Sequence, residues 1–194
     1  MDVRERIATH AIRLFSEKGY AQTSVRQIVE AAGVTKPTLY YHFGSKEGLF
    51  QTLLSERLSQ ADALMQGTLA QTDRTVRERL HNVCSLHLAQ IQAAPEFNRF
   101  VTRLVLSPGS SGPQIDVSQI VGRDAHFFSE LFAQGIASGE LRADLNPIDL
   151  ALAFQGIWHF RVFSSMTASS CEEISLDEQT LDRLISIFFH GVTP

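Results

Sequence analysis

Residues 35–43, TKPTLYYHF, collect a lysine, two threonines, two tyrosines and a histidine around two apolar side chains, Leu39 and Phe43. Thr35 is a residue type that caps helix N-termini, and Pro37 suits a first helical turn, where its missing N–H would have no partner. Leu39 and Phe43 are four apart and share one face, which points inward. Thr38, Tyr41 and His42 then project elsewhere, with Lys36 and Tyr40 at the rim. The polar and aromatic residues form the outer face of a short, rigid helix, placed for contact with a partner.

Other reactive residue types lack the spacing that chemistry requires. His81 and His87 are six apart, which is not one helix face, and His126 and His159 fall in separate helical segments. No H-x-x-x-H or H-E-x-x-H occurs, so no metal site is expected. Ser110 and Ser111 have no G-x-S-x-G context, and no glycine-rich phosphate loop exists. No catalytic residue and no cofactor is expected, and an enzyme is excluded. Cys84 and Cys171 make neither a metal-like pair nor a disulfide framework, which sets a reducing cytoplasm as the expected compartment.

The elements that hold the outward face are helical throughout. With 44% hydrophobic residues in 194, the chain can build a substantial core. No apolar run reaches the roughly 18 residues of a membrane span, and the charged start MDVRERIATHAIRLF is not a signal peptide. No segment alternates with period two between hairpin turns. A first helix covers about residues 3–18, with Ile7, Ala11, Leu14 and Phe15 on one face, Gly19 as a left-handed cap and Tyr20 folding back behind it. Ser24 opens a second helix with Gln27 in the capping-box position, and Val25, Ile28, Val29 and Ala32 make its buried stripe. Gly33 ends it, Thr35 opens the third helix, Gly44 ends that, and Ser45 caps a fourth that continues through Leu49, Phe50, Leu53, Leu54 and Leu58. Two short helices joined by Gly33-Val34 have the form of a helix-turn-helix.

Beyond them lies a larger helical body. Asp73 or Thr75 opens a helix that ends before Pro95. A short helix is expected over residues 97–106 and a loop over 107–113. Further helices follow over about 114–138 and, with Asn146-Pro147 as its cap, 147–166. After a loop over 168–175, the last helix covers 176–190, with Leu181, Leu184, Ile185, Phe188 and Phe189 as an apolar side. Net charge is -4 overall, yet residues 1–48 carry seven basic against five acidic side chains and hold all three lysines. A mildly basic head on an acidic body suggests that one end faces an anion.

Residues 11–50, AIRLFSEKGYAQTSVRQIVEAAGVTKPTLYYHFGSKEGLF, resemble the TetR family of bacterial transcriptional regulators. The family pattern runs A-x-x-L-F-x-x-x-G-(Y/F)-x-x-T-(T/S)-(V/I), then I-A-x-x-A-G-V, then (S/T)-x-x-x-(L/I)-Y-x-(H/Y)-F, then K-E-x-L. Val29 stands where a small residue is usual. GELRADLNPIDLA, residues 139–151, is similar to a segment ahead of the family's penultimate helix.

The resemblance implies an all-α protein of about nine helices, with a DNA-binding head at 1–48 and a ligand-binding and dimerisation body at 49–194. It implies a repressor that binds a palindromic double-stranded operator as a homodimer paired through its last two helices, and that a small hydrophobic or aromatic effector releases. No membrane is involved. A family-like interaction protein or DNA architecture factor without an inducer is the alternative. Carried over by position, Arg26, Lys36, Pro37, Thr38 and Tyr40 meet bases or nearby backbone, and Ser24, Thr35, Tyr41, His42 and Lys46 meet phosphates. The implied effector pocket draws on the aromatic-rich body, with Phe100, Phe127, Phe154 and Trp158 as apolar candidates. His87, Arg103 and His126 are the polar candidates, joined by His159 and Arg161.

Overall fold

The structure, a computed structural model, describes residues 2–95, 98–99, 101–102, 116–167 and 176–193. Eight helices stand among them: α1 (Val3–Lys18), α2 (Val25–Ala32), α3 (Lys36–Phe43), α4 (Lys46–Leu69), α5 (Val76–Ala93), α6 (Val117–Ser138), α7 (Pro147–Thr167) and α8 (Glu178–His190). The helix expected over 97–106, the loops over 107–113 and 168–175, and Cys171 fall wholly or mostly outside the described residues. The chain forms two compact units, Met1–Asp62 with Ala94–Ile115, and Ala63–Ala93 with Asp116–Pro194. The division falls inside α4.

Side-chain caps set the helix starts. Asp2 closes a capping box with Glu5 on α1, and Ser24 does the same with Gln27 on α2. Thr75 rather than Asp73 opens α5, trading bonds with Glu78 at 2.9 and 3.2 Å. Asn146 accepts from the Ile148 and Asp149 amides ahead of α7. The last helix begins two residues later than its apolar pattern suggests, because Asp177 accepts from the Thr180 amide and fixes the start at Glu178. Gly19 has φ 80 and ψ 162, so it ends α1 at positive φ but outside the left-handed helical conformation expected.

In the first unit Ile7, Ala11, Phe15, Ile28, Leu39, Leu49 and Phe50 form a closed core. Tyr20 folds back on it as expected, with its ring 5.3 Å from Phe15 and 5.6 Å from Phe50. In the second unit α5, α6, α7 and α8 surround Leu80, Leu88, Phe128, Leu131, Phe132, Phe154 and Trp158. A homodimer paired through the last two helices would draw on the apolar side of the last helix, and here the structure corrects the expectation: Leu181, Ile185, Phe188 and Phe189 are buried in the chain's own core, so they are not offered to a partner. Phe188 packs on Phe132 at 5.3 Å and on Phe154 at 5.2 Å. Among the described residues, the large apolar side chains left exposed on the last two helices are Ile148, Leu152, Ile157 and Phe160 on α7 and Ile187 on α8.

Candidate nucleic-acid interface

Three residues, Gly33 to Thr35, join α2 to α3. Gly33 takes φ 63 and ψ 41, and its N–H reaches the Val29 and Glu30 carbonyls. A β-carbon would strain that left-handed backbone, which is why glycine stands there. Thr35 then caps α3, and its hydroxyl lies 2.8 Å from that of Thr38. Leu39 and Phe43 enter the core while Lys36, Pro37, Tyr40 and Tyr41 are exposed, Tyr41 by 86%. His42 is half-buried and meets Tyr41 edge to face at 5.1 Å. The period of the helix thus divides α3 as its sequence implies. Its outer face carries one cation, two phenols and hydroxyls, all donors suited to base edges and phosphate oxygens.

The flanking residues are less free than their types suggest. Ser24 is engaged in its capping box. Arg26 donates to Glu30 at 2.7 Å, one turn along the exposed side of α2. Lys46 is folded inward. Its Nζ donates to the carbonyls of Tyr20 and Thr23, each at 2.9 Å, and sits 4.1 Å above the Tyr20 ring. Burial holds its ammonium below the usual lysine range. Two of its three donors are therefore spent tying the α1–α2 turn to the start of α4. Sequence reasoning missed this strap and missed Thr23, whose buried hydroxyl faces the Leu14 and Gly19 carbonyls. It missed Arg4 as well, which bridges to Glu56 at 2.6 Å and lies 5.6 Å over the Phe43 ring.

In the body, three of the expected pocket residues are core. Phe127, Phe154 and Trp158 are buried, and Trp158 is only 2% exposed. Trp158 Nε1 on α7 donates to Nδ1 of His87 on α5 at 3.1 Å. Beside this pair, Asp124 on α6 binds Arg123 at 2.9 and 3.1 Å and lies 3.8 Å from His159. Burial pushes His87 down to about 4, with His159 and Arg123 adding to the effect and Asp124 opposing it. Burial also lowers His159, against the pull of Asp124. His126 departs from the expectation: its ring is 81% exposed, 3.8 Å from Glu130, because Phe127, Phe128 and Leu131 take the inward side of α6. Phe100 and Arg103 lie outside the described residues. A cleft of about 360 Å³ opens between α5 and α8, lined by Arg74, Arg77, His81, Asn82, Ser85 and Asp182 among others, and none of the expected pocket residues borders it.

The sequence model of the family described as bacterial regulatory proteins, tetR family, matches residues 7–53. That span holds α2, α3 and the outward face. The chain is 28% identical over 148 residues to the fatty acid metabolism regulator protein of Bacillus subtilis, covering 76% of this chain and 74% of that one. It is 25% identical to the transcriptional repressor DhaR of a Mycobacterium species, covering 99% and 93%. This protein is a TetR family transcriptional regulator. As a member of that family it is a DNA-binding protein and not an enzyme. Its fold is shared with the regulator FadR from Bacillus subtilis, solved in complex with stearoyl-CoA, at TM-score 0.77 and 20% identity, covering 96% of this chain and 98% of that one. Among the described residues no helix is long and apolar enough to cross a membrane, and no cluster of His, Cys, Asp and Glu could hold a metal ion.

Proposed function

We propose that this chain is a cytoplasmic, homodimeric repressor whose operator binding is released by a long-chain fatty acyl thioester. One observation carries the DNA half of this reading: α3 buries Leu39 and Phe43 and leaves Lys36, Thr38, Tyr40 and Tyr41 on its outer side or rim. Residues 1–48 serve as the DNA-binding head, and residues 49–194 bind ligand and the second copy. Lys36, Pro37, Thr38 and Tyr40 lie over base edges, joined by Arg26 once it leaves Glu30. Ser24, Thr35, Tyr41 and His42 meet phosphates, and Lys46 adds its one remaining donor while holding the turn.

The exposed Ile148, Leu152, Ile157, Phe160 and Ile187 support pairing through α7 and α8, since apolar groups of that size on two neighbouring helices gain most when covered. A two-fold dimer matches a palindromic operator. The effector class rests on the fatty acid regulators that this chain resembles. Within the body we assign the border of such a ligand to His87, Phe127, Phe154 and Trp158, the last three of which are buried and must part to admit it. The test is selection of sites from a random double-stranded DNA library, followed by titration of the recovered site with stearoyl-CoA. A palindromic consensus whose complex dissociates on adding stearoyl-CoA is the expected result. A palindrome that stearoyl-CoA leaves bound removes the acyl thioester and keeps the repressor.

A further inference from the structure

We propose that His87 is a hydrogen-bond donor held ready for a neutral carbonyl oxygen on the ligand, and that it thereby selects an acyl thioester over a free fatty acid. The proposal rests on the acyl-thioester effector of the preceding section. The indole N–H of Trp158 can only donate. It donates to Nδ1 of His87 at 3.1 Å, so Nδ1 carries no proton and the ring's one proton is on Nε2. Trp158 is 2% exposed and packed in the core, which fixes the imidazole plane and the direction of Nε2–H with it. Among the described residues nothing accepts from Nε2.

The surroundings decide which acceptor fits. A protonated ring would set a second N–H against the indole and lose that bond, and burial likewise keeps His87 neutral down to about pH 4. Arg123, the cation beside it, is engaged by Asp124 through two nitrogens. A carboxylate brought to this position would give up its hydration and meet one neutral donor with a second carboxylate close by. A thioester carbonyl has little hydration to lose and needs one donor.

The experiment uses the full chain and three probes: stearoyl-CoA, its S-octadecyl thioether, which has a methylene in place of the carbonyl, and stearate. Binding is followed by Trp158 fluorescence and by calorimetry. Wild type should bind the thioester roughly five- to tenfold more tightly than the thioether, as one neutral hydrogen bond allows. In His87→Phe the two should bind alike, at the affinity the thioether has for wild type. His87→Gln keeps an N–H donor and should restore part of the preference, which also serves if the phenylalanine variant fails to fold. Equal binding of thioester and thioether by wild type overturns the donor role while leaving the effector class standing. A preference that survives in His87→Phe overturns it too, by assigning the carbonyl to another group. Tighter binding of stearate than of stearoyl-CoA overturns the choice of a neutral acceptor. No binding of either CoA compound overturns the acyl-thioester reading and this proposal with it.

Discussion

Replacing Lys46 with methionine keeps an aliphatic stem near Tyr20 and removes two charge-assisted bonds to the Tyr20 and Thr23 carbonyls. Lys46 is only partly buried, so we expect a loss of about 1–2 kcal/mol in urea unfolding, toward the lower end for bonds of this kind. Operator binding should weaken for every sequence, yet its salt slope should fall by less than the roughly 0.9 of a lost phosphate contact. A full loss of slope with unchanged stability would instead make Lys46 a phosphate ligand. Thr38→Ala should relax base preference at one operator position by about 1–3 kcal/mol, read by titrating single-base variants. His87 gives a pH dependence of known sign. The unfolded chain takes up this proton near pH 6.5 and the folded chain only near 4. Its contribution is therefore complete above about pH 6.5 and declines as pH falls toward 4, by at most about 1.4 kcal/mol per pH unit. Urea midpoints at pH 7 and pH 5 should differ less in His87→Phe than in wild type, and an equal difference would acquit His87. The outward set on α3 was legible because helical period alone sorts it. The Lys46 strap and the Trp158–His87 bond were not, since their partners stand 26, 23 and 71 residues away.

The join between α3 and α4 admits almost nothing. A β-carbon on Gly48 would sit 2.2 Å from the Phe43 carbonyl oxygen, which is backbone and cannot swing aside. Gly48→Ala must shift the last turn of α3 or the first of α4, at a cost above the roughly 1–3 kcal/mol of ordinary overpacking, and should abolish operator binding. Gly135→Ala meets the Val76 and Leu141 side chains first, at 2.7 and 3.0 Å, so it should destabilise the body and leave the head's DNA contacts unaltered. Thermal melts beside operator titrations separate the two cases, and a Gly48→Ala protein with normal binding would refute the first. For the proposed dimer, Phe160→Glu and Ile187→Glu place a carboxylate where 70% and 66% of an apolar side chain is now exposed. Folding should survive while sedimentation shows monomer; an intact dimer would move the interface off α7 and α8. Helix number and most boundaries could be read from caps and period, as Ser24, Thr35 and Asn146 show. Spacing reveals that Leu181, Ile185 and Phe188 share a buried face. It cannot say what buries them, because a neighbouring helix and a second copy demand the same pattern.

At the scale of the whole molecule, effector and operator must oppose each other equally. If stearoyl-CoA weakens operator binding by some factor, operator must weaken stearoyl-CoA binding by the same factor, about 5- to 150-fold for a coupling of roughly 1–3 kcal/mol. Calorimetry with and without operator measures this, and equal affinities would show a ligand that occupies the body without acting on DNA. The overall class was plain from the resemblance of residues 11–50 to a known family, whereas the effector was not, because a core of Phe128, Phe132 and Phe154 reads the same whether or not a ligand borders it. The core of the first unit has a further implication for how the protein is made. Its helix caps are local, each made by residues at most three positions apart, but α2 and α3 have only eight residues each and depend on packing to persist. Yet Ala94 and Val101 also pack against that core. The ribosome adds about 5–20 residues per second, so some forty residues separate the end of the N-terminal segment from its last packing partners by roughly 2 to 8 seconds. During that interval the flank of the head core that Ala94 and Val101 cover is open, and a chain ending before residue 94 would lack both of these packing partners.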